Sequence, residues 1–137
     1  MFFNKKSKEE NAFNLVKIAA LLIHTAKIDQ NYSIEEEEII KKTLVSLGAE
    51  QNDLDNLITK ASKSEENANQ ILDFTREIKN LEEMDKIKIV KSLWKIIYSN
   101  KDADIYETNL MRRLAGLLYI DNTVMGNIKE EIKKEYL

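Results

Sequence analysis

Apolar residues recur along this chain at helical spacing, in seven stretches separated by short polar ones. The first, from about 9 to 27, places Leu15, Ile18, Ala19, Leu22 and Ala26 three or four residues apart, the period of one helix face. Val16, Ala20 and Ile23 widen the stripe, which predicts a helix buried on more than one side. A polar loop at 29–32 follows. Ser33 then stands three residues before Glu36, the spacing of a capping box, in which each side chain takes the other's backbone amide. The second helix turns Ile39, Ile40, Leu44 and Leu47 inward and stops at Gly48, a residue suited to the left-handed turn that ends helices. Asn52 is placed to cap a third helix, with Leu54, Leu57, Ile58 and Ala61 as its face. Lys60 and Lys63 fall near its C-terminal end, where the dipole favours cations.

The polar run 62–67 reads as a flexible turn. A fourth helix carries Ala68, Ile71, Leu72, Thr75 and Ile78. Asn80 and Glu83 form a second capping box and open a fifth helix, lined by Ile87, Val90, Leu93, Trp94 and Ile97. Lys88, Lys91 and Lys95 lie on its opposite, solvated side. Asp104 and Glu107 form a third box, for a sixth helix with Leu110, Met111, Leu114, Leu117 and Leu118 toward the core. Gly116 inside that pattern costs about 1 kcal/mol against Ala, which close approach of a neighbouring helix would explain. Asp121 or Asn122 caps a seventh helix, with Val124, Met125, Ile128 and Ile132 on its inner side.

The second and sixth helices belong to a diverged repeat with an offset of 71 residues. Leu22/Leu93, Ile34/Ile105, Glu36/Glu107, Leu47/Leu118 and Asn56/Asn127 are identical pairs. Asp29/Asn100, Ser33/Asp104, Ile39/Leu110, Ile40/Met111, Lys41/Arg112, Lys42/Arg113 and Leu54/Met125 are like for like. A unit that cannot cover its own apolar face needs its copy to complete one core. The expected fold is therefore all-α: a compact bundle of about seven helices in one domain, 9–137. Two three-helix repeats, about 9–63 and 82–137, are joined by a linking helix at about 65–80, behind a flexible N-terminal segment, 1–8.

Composition narrows the chemistry. There is no cysteine and one histidine, His24, so thiol catalysis, disulfides and any His-pair metal site within the chain are excluded. The net charge is −3, and it sits entirely in residues 49–81, where four basic side chains meet seven acidic ones (4 − 7 = −3). Nothing there favours nucleic acid. Leu15 to Ala26 is interrupted by Lys17 and His24 and is shorter than the roughly 20 residues of a membrane span. The chain reads as cytoplasmic, with no integral membrane segment. Phe2 and Phe3 beside Lys5, Lys6 and Lys8 would suit at most a weak surface anchor. Glycine-rich phosphate loops and nucleophile–base groupings are absent from the sequence, so no enzyme is expected.

An apolar helix, an acidic loop, Ser/Asp-x-x-Glu and then two apolar and two basic residues resembles the TerB family of tellurite-resistance proteins, in its stand-alone branch. The second copy carries the likeness best, in Leu93-Trp-Lys-Ile-Ile-Tyr98, Asp104-Ile-Tyr-Glu107 and Leu110-Met-Arg-Arg-Leu-Ala115, and the likeness covers nearly the whole chain. It implies an all-α bundle with internal pseudo-symmetry, a cytoplasmic location and a link to tellurite and other stress. A related domain occurs in a membrane-anchored J-domain co-chaperone. The resemblance also implies acidic loop residues suggested as a metal site, and no enzymatic activity. Where the family has Ala-Asp-Gly, this chain has Ile28-Asp29-Gln30 and Ser99-Asn100-Lys101, which weakens the second loop as a cation site.

Two functional readings follow. One is a non-enzymatic interaction or scaffold module of a stress response, with a protein partner, as a monomer or homodimer. The alternative is a cation-responsive module in which Asp29, Glu36, Asp102, Asp104 and Glu107 hold calcium or magnesium, hard ions that take oxygen ligands. Against it, no EF-hand spacing is present: Tyr32 stands where a glycine is needed, and a 12-position loop from Asp29 would end at Ile40. Ser33/Glu36 and Asp104/Glu107 also serve as helix caps, which leaves Asp29 and Asp102 without a structural task. Trp94 reads as a core anchor and His24 as a half-buried histidine.

Overall fold

Residues 18–23 of the first helix have no solvent contact at all. A helix buried around its circumference has to be surrounded, and this one is. The computed structural model describes residues 8–28, 32–68, 71–99 and 105–136, with only the backbone for 8–10 and 105–107. Among them are the helices α1 (Lys8–Ala26), α2 (Ile34–Ser46), α3 (Leu54–Asn67), α4 (Leu72–Ile78), α5 (Glu83–Ser99), α6 (Ile105–Leu117) and α7 (Asn122–Tyr136). A 3-10 turn, Gln51–Asp53, leads into α3, and no strand occurs among the described residues. The central α1 packs most extensively on α3, then α4, α5 and α2, while α5 packs chiefly on α7 and also holds α2.

The core is continuous across these helices. Ile18, Leu21, Leu22 and Ile23 of α1 meet Ile40, Leu44 and Leu47, Phe74 and Ile78, and Ile89, Leu93 and Ile96, all essentially fully buried. Each such side chain contributes roughly 1.5–3 kcal/mol on leaving water. Two polar links pin α2 to α5: the Thr43 hydroxyl lies 2.8 Å from that of Ser92, and Lys88 Nζ donates to the Ser46 carbonyl at 3.3 Å. Trp94, 2% exposed, anchors α5 against α7 through its indole N–H, which donates to Met125 Sδ at 3.4 Å.

Between α2 and α6 alone, the helix bounds keep an offset of 71. α2 runs from 34 to 46 and α6 from 105 to 117, so both ends correspond. Their C-termini also close alike. Ala49 N–H donates to the Leu44 carbonyl at 2.9 Å and Gly48 N–H to Val45 at 3.0 Å; Ile120 N–H donates to Ala115 at 2.9 Å and Tyr119 N–H to Gly116 at 3.3 Å. This paired closure needs one left-handed residue. Gly48 supplies it at φ 109°, and Tyr119, which lacks glycine's freedom, supplies it at φ 57°.

Several sequence expectations are corrected. Lys8 belongs to α1, not to a flexible segment; residues 1–7 lie outside the described residues. Asn52 caps nothing, because the 3-10 turn carries the chain into α3 without a side-chain cap bond. The run 62–67 is helix: it holds no glycine or proline, and Glu65 pairs with Lys27 of α1 at 3.7 Å. Lys60 and Lys63 therefore precede the last turn of α3. The linking helix is only Leu72–Ile78, and Phe74 takes the inward place assigned to Leu72, which is 39% exposed. Asn80 does not open α5. Leu81 is buried in a bend, and the Glu82 carbonyl receives the first amides, of Asp85 and Lys86. A Cβ on Gly116 would meet nothing within 4 Å, so no helix approaches it closely. Asp121, as expected, caps α7, accepting from Thr123 N–H at 2.7 Å.

Candidate functional site

The first acidic loop runs into α2, where the capping box is complete. Glu36 N–H donates to Ser33 Oγ at 3.1 Å, and Ser33 N–H donates to Glu36 Oε1 at 2.8 Å. Glu36 has no exposed surface. One of its two oxygens is thus committed to a backbone amide that the helix start would otherwise leave unpaired. Glu37 lies 3.6 Å from Lys41, four residues on, and Lys41 reaches Asp55 of α3 at 3.3 Å. Burial first, then the carboxylates of Glu37 and Glu36, raise the Tyr32 phenol above its usual value. Its hydroxyl is shut off from solvent, with Glu37 near enough to act on the proton but not in good hydrogen-bond geometry.

Of the five residues named as cation ligands, Glu36 alone has a described side chain. Asp29, Asp102 and Asp104 lie outside the described residues, and of Glu107 only the backbone, in the first turn of α6, is described. Among the described residues no group of three acidic or histidine side chains is arranged to hold a metal. The structure therefore places Glu36 in a helix cap.

His24 is half-buried near the end of α1, its ring 5.9 Å from that of Phe74. Burial holds its proton affinity below the ordinary 6.5; Glu65 opposes this, and Arg113 and Lys27 add to it. The Trp94 ring stacks on Tyr98 at 5.8 Å, and Lys129 Nζ stands 5.5 Å from the indole centroid. A buried indole whose N–H is taken by Met125 is a core anchor.

A groove that the sequence did not suggest lies elsewhere. It encloses about 380 Å³ between α1, the end of α3 and α4. Phe13, 50% exposed, Ala68 and Leu72 form its apolar part. Lys17, Asp73, Arg76 and Glu77 supply its charged lining, with Lys17 Nζ 5.4 Å from the Phe13 centroid. The available signal was that Phe13 and Lys17 lie four residues apart, off the apolar stripe of α1. Leu72 was hidden because its spacing also fits a core position.

Comparison with family models gives a match to TerB, described as tellurite resistance protein TerB, over residues 15–130. Comparison with curated proteins and with solved structures returned no match.

Proposed function

The chain belongs to the TerB family, and on that footing we propose that it is a non-enzymatic, cytoplasmic module that binds a protein partner within a stress response of the tellurite type. The observation that supports partner binding is the groove beside α1. It sets exposed Phe13 and Leu72 among charges of both signs. Exposed apolar side chains rimmed by polar ones are the usual composition of a protein contact. The occupant that fits is an amphipathic helix: its apolar anchors meet Phe13 and Leu72, and its mixed charges meet Lys17, Arg76, Asp73 and Glu77. The stress context comes from the family description alone. No helix among the described residues is long and apolar enough to cross a membrane.

The test has two arms. In the first, the protein and its Phe13→Ala/Leu72→Ala variant are used to capture binders from lysate of the source cell. Both side chains are partly exposed, so the variant keeps its fold. The reading expects a defined partner that the variant loses; identical captures, or none above background, contradict it. In the second, the coding sequence is deleted and tolerance to tellurite is measured. Unchanged tolerance removes the stress assignment and leaves partner binding standing.

A further inference from the structure

Lys86 is 6% exposed, yet it enters no ion pair among the described residues. Most of its surface is packed inside the protein, and its ammonium stands 5.9 Å from the ring centroid of Tyr119. Lys79, just past the end of α4, brings a second ammonium to 5.7 Å from the same centroid. The ion pairs among the described residues join Lys27 to Glu65, Lys41 to Glu37 and Asp55, and Lys91 to Glu131. Among the described residues, then, neither cation at Tyr119 is in an ion pair. An aromatic face attracts each by about 0.5–1 kcal/mol at an exposed site but leaves both positive charges in place.

Tyr119 is itself unusual. It is 66% exposed and occupies the left-handed position that closes α6, where the corresponding residue of α2 is Gly48. A side chain there costs on the order of 1 kcal/mol relative to glycine. The ring is thus held in the open, with both ammonium groups within 5.9 Å of its centroid, at a position where glycine would be easier.

We propose that Lys79, Lys86 and Tyr119 bind the phosphoryl group of a phosphate monoester. The chemistry matches in number and charge. Two ammonium groups balance a dianion, and with the phenol they offer three donors to three terminal oxygens. The packed stem of Lys86 fixes one donor beforehand, which lowers the entropy lost on binding. This site is separate from the groove of α1 and does not depend on it.

The experiment titrates isotope-labelled protein with inorganic phosphate and, separately, glycerol phosphate at low salt, read by NMR. In parallel, the protein is sedimented with phosphatidylcholine vesicles with and without phosphatidic acid. Saturable amide shifts confined to 79–86 and 118–121 are expected. Lys86→Met, which keeps the stem packing, and Lys79→Met should each weaken binding about tenfold. Shifts with the soluble probes assign a small ligand. Binding to phosphatidic acid alone, lost in the same variants, assigns a lipid headgroup. The proposal is overturned if no probe binds saturably, or if Lys79→Met, at the more accessible position, binds as the wild type does while keeping a native spectrum.

Discussion

Replacing Glu36 separates its two readings, helix cap and cation ligand. The cap needs an oxygen acceptor at 2.8 Å from Ser33 N–H; a ligand needs a carboxylate. Glu36→Gln keeps the acceptor and removes the charge. Glu36→Ala strands a partly buried amide, worth about 1–3 kcal/mol, and vacates a fully buried site. Together these make roughly 3 kcal/mol. Glu36→Gln should cost about 1 kcal/mol, and Ser33→Ala, which removes the reciprocal bond, a similar amount. At this chain length 1 kcal/mol corresponds to about 3–4 °C in melting temperature. The ordering Ala far below Gln, with Gln near wild type, is read by thermal and urea unfolding under far-UV circular dichroism. Each is repeated with chelator and with millimolar calcium or magnesium. Equal losses for Gln and Ala would refute the cap. So would a cation-induced rise in the wild-type melting temperature that both variants lack.

Gly126 lies exposed within α7, and an added Cβ would meet nothing within 4 Å; Gly126→Ala should stabilise by about 1 kcal/mol, seen as a higher urea midpoint at unchanged slope. Met125→Leu should cost about 1–2 kcal/mol because the Trp94 N–H loses its acceptor, whereas Met84→Leu, at a 72% exposed position, should be neutral; emission of the single tryptophan reports both. Because His24 is held below its unfolded value of 6.5, the folded state binds fewer protons at mildly acid pH. The contribution of the neutral ring is thus complete above about 6.5 and is lost as pH falls from there through the lower folded value. Stability should decline over that window, and His24→Gln should flatten the decline; a His24 NMR titration midpoint at or above 6.5 would contradict this.

Helix periodicity made most of the fold legible. The breadth of the stripe in α1 announced a central helix, since residues 15–26 are apolar on more than one side. Ser33 and Glu36 announced their cap because that motif is local: two side chains meet two amides three residues apart. The misreadings arose where tertiary burial outweighed local signals. Leu81 draws the chain into a bend and moves the start of α5 past Asn80, and the contact of Glu65 with Lys27 keeps the polar run 62–67 helical. Phe74 displaced Leu72 because two adjacent phases of α4 were both apolar enough to face the core. The groove and the Tyr119 site depend on residues from three helices or turns, which no local pattern brings together.

The proposed role requires a protein seated in the groove of α1. A photo-cross-linking residue at Phe13, expressed in the source cell, tests it directly, with the same residue at Lys134 on α7, which does not border the groove, as control. A discrete protein adduct from Phe13, identified by mass spectrometry, is expected, one that Arg76→Glu diminishes and Lys134 does not give. Adducts equal at both positions, or none at Phe13 with or without tellurite, would contradict it.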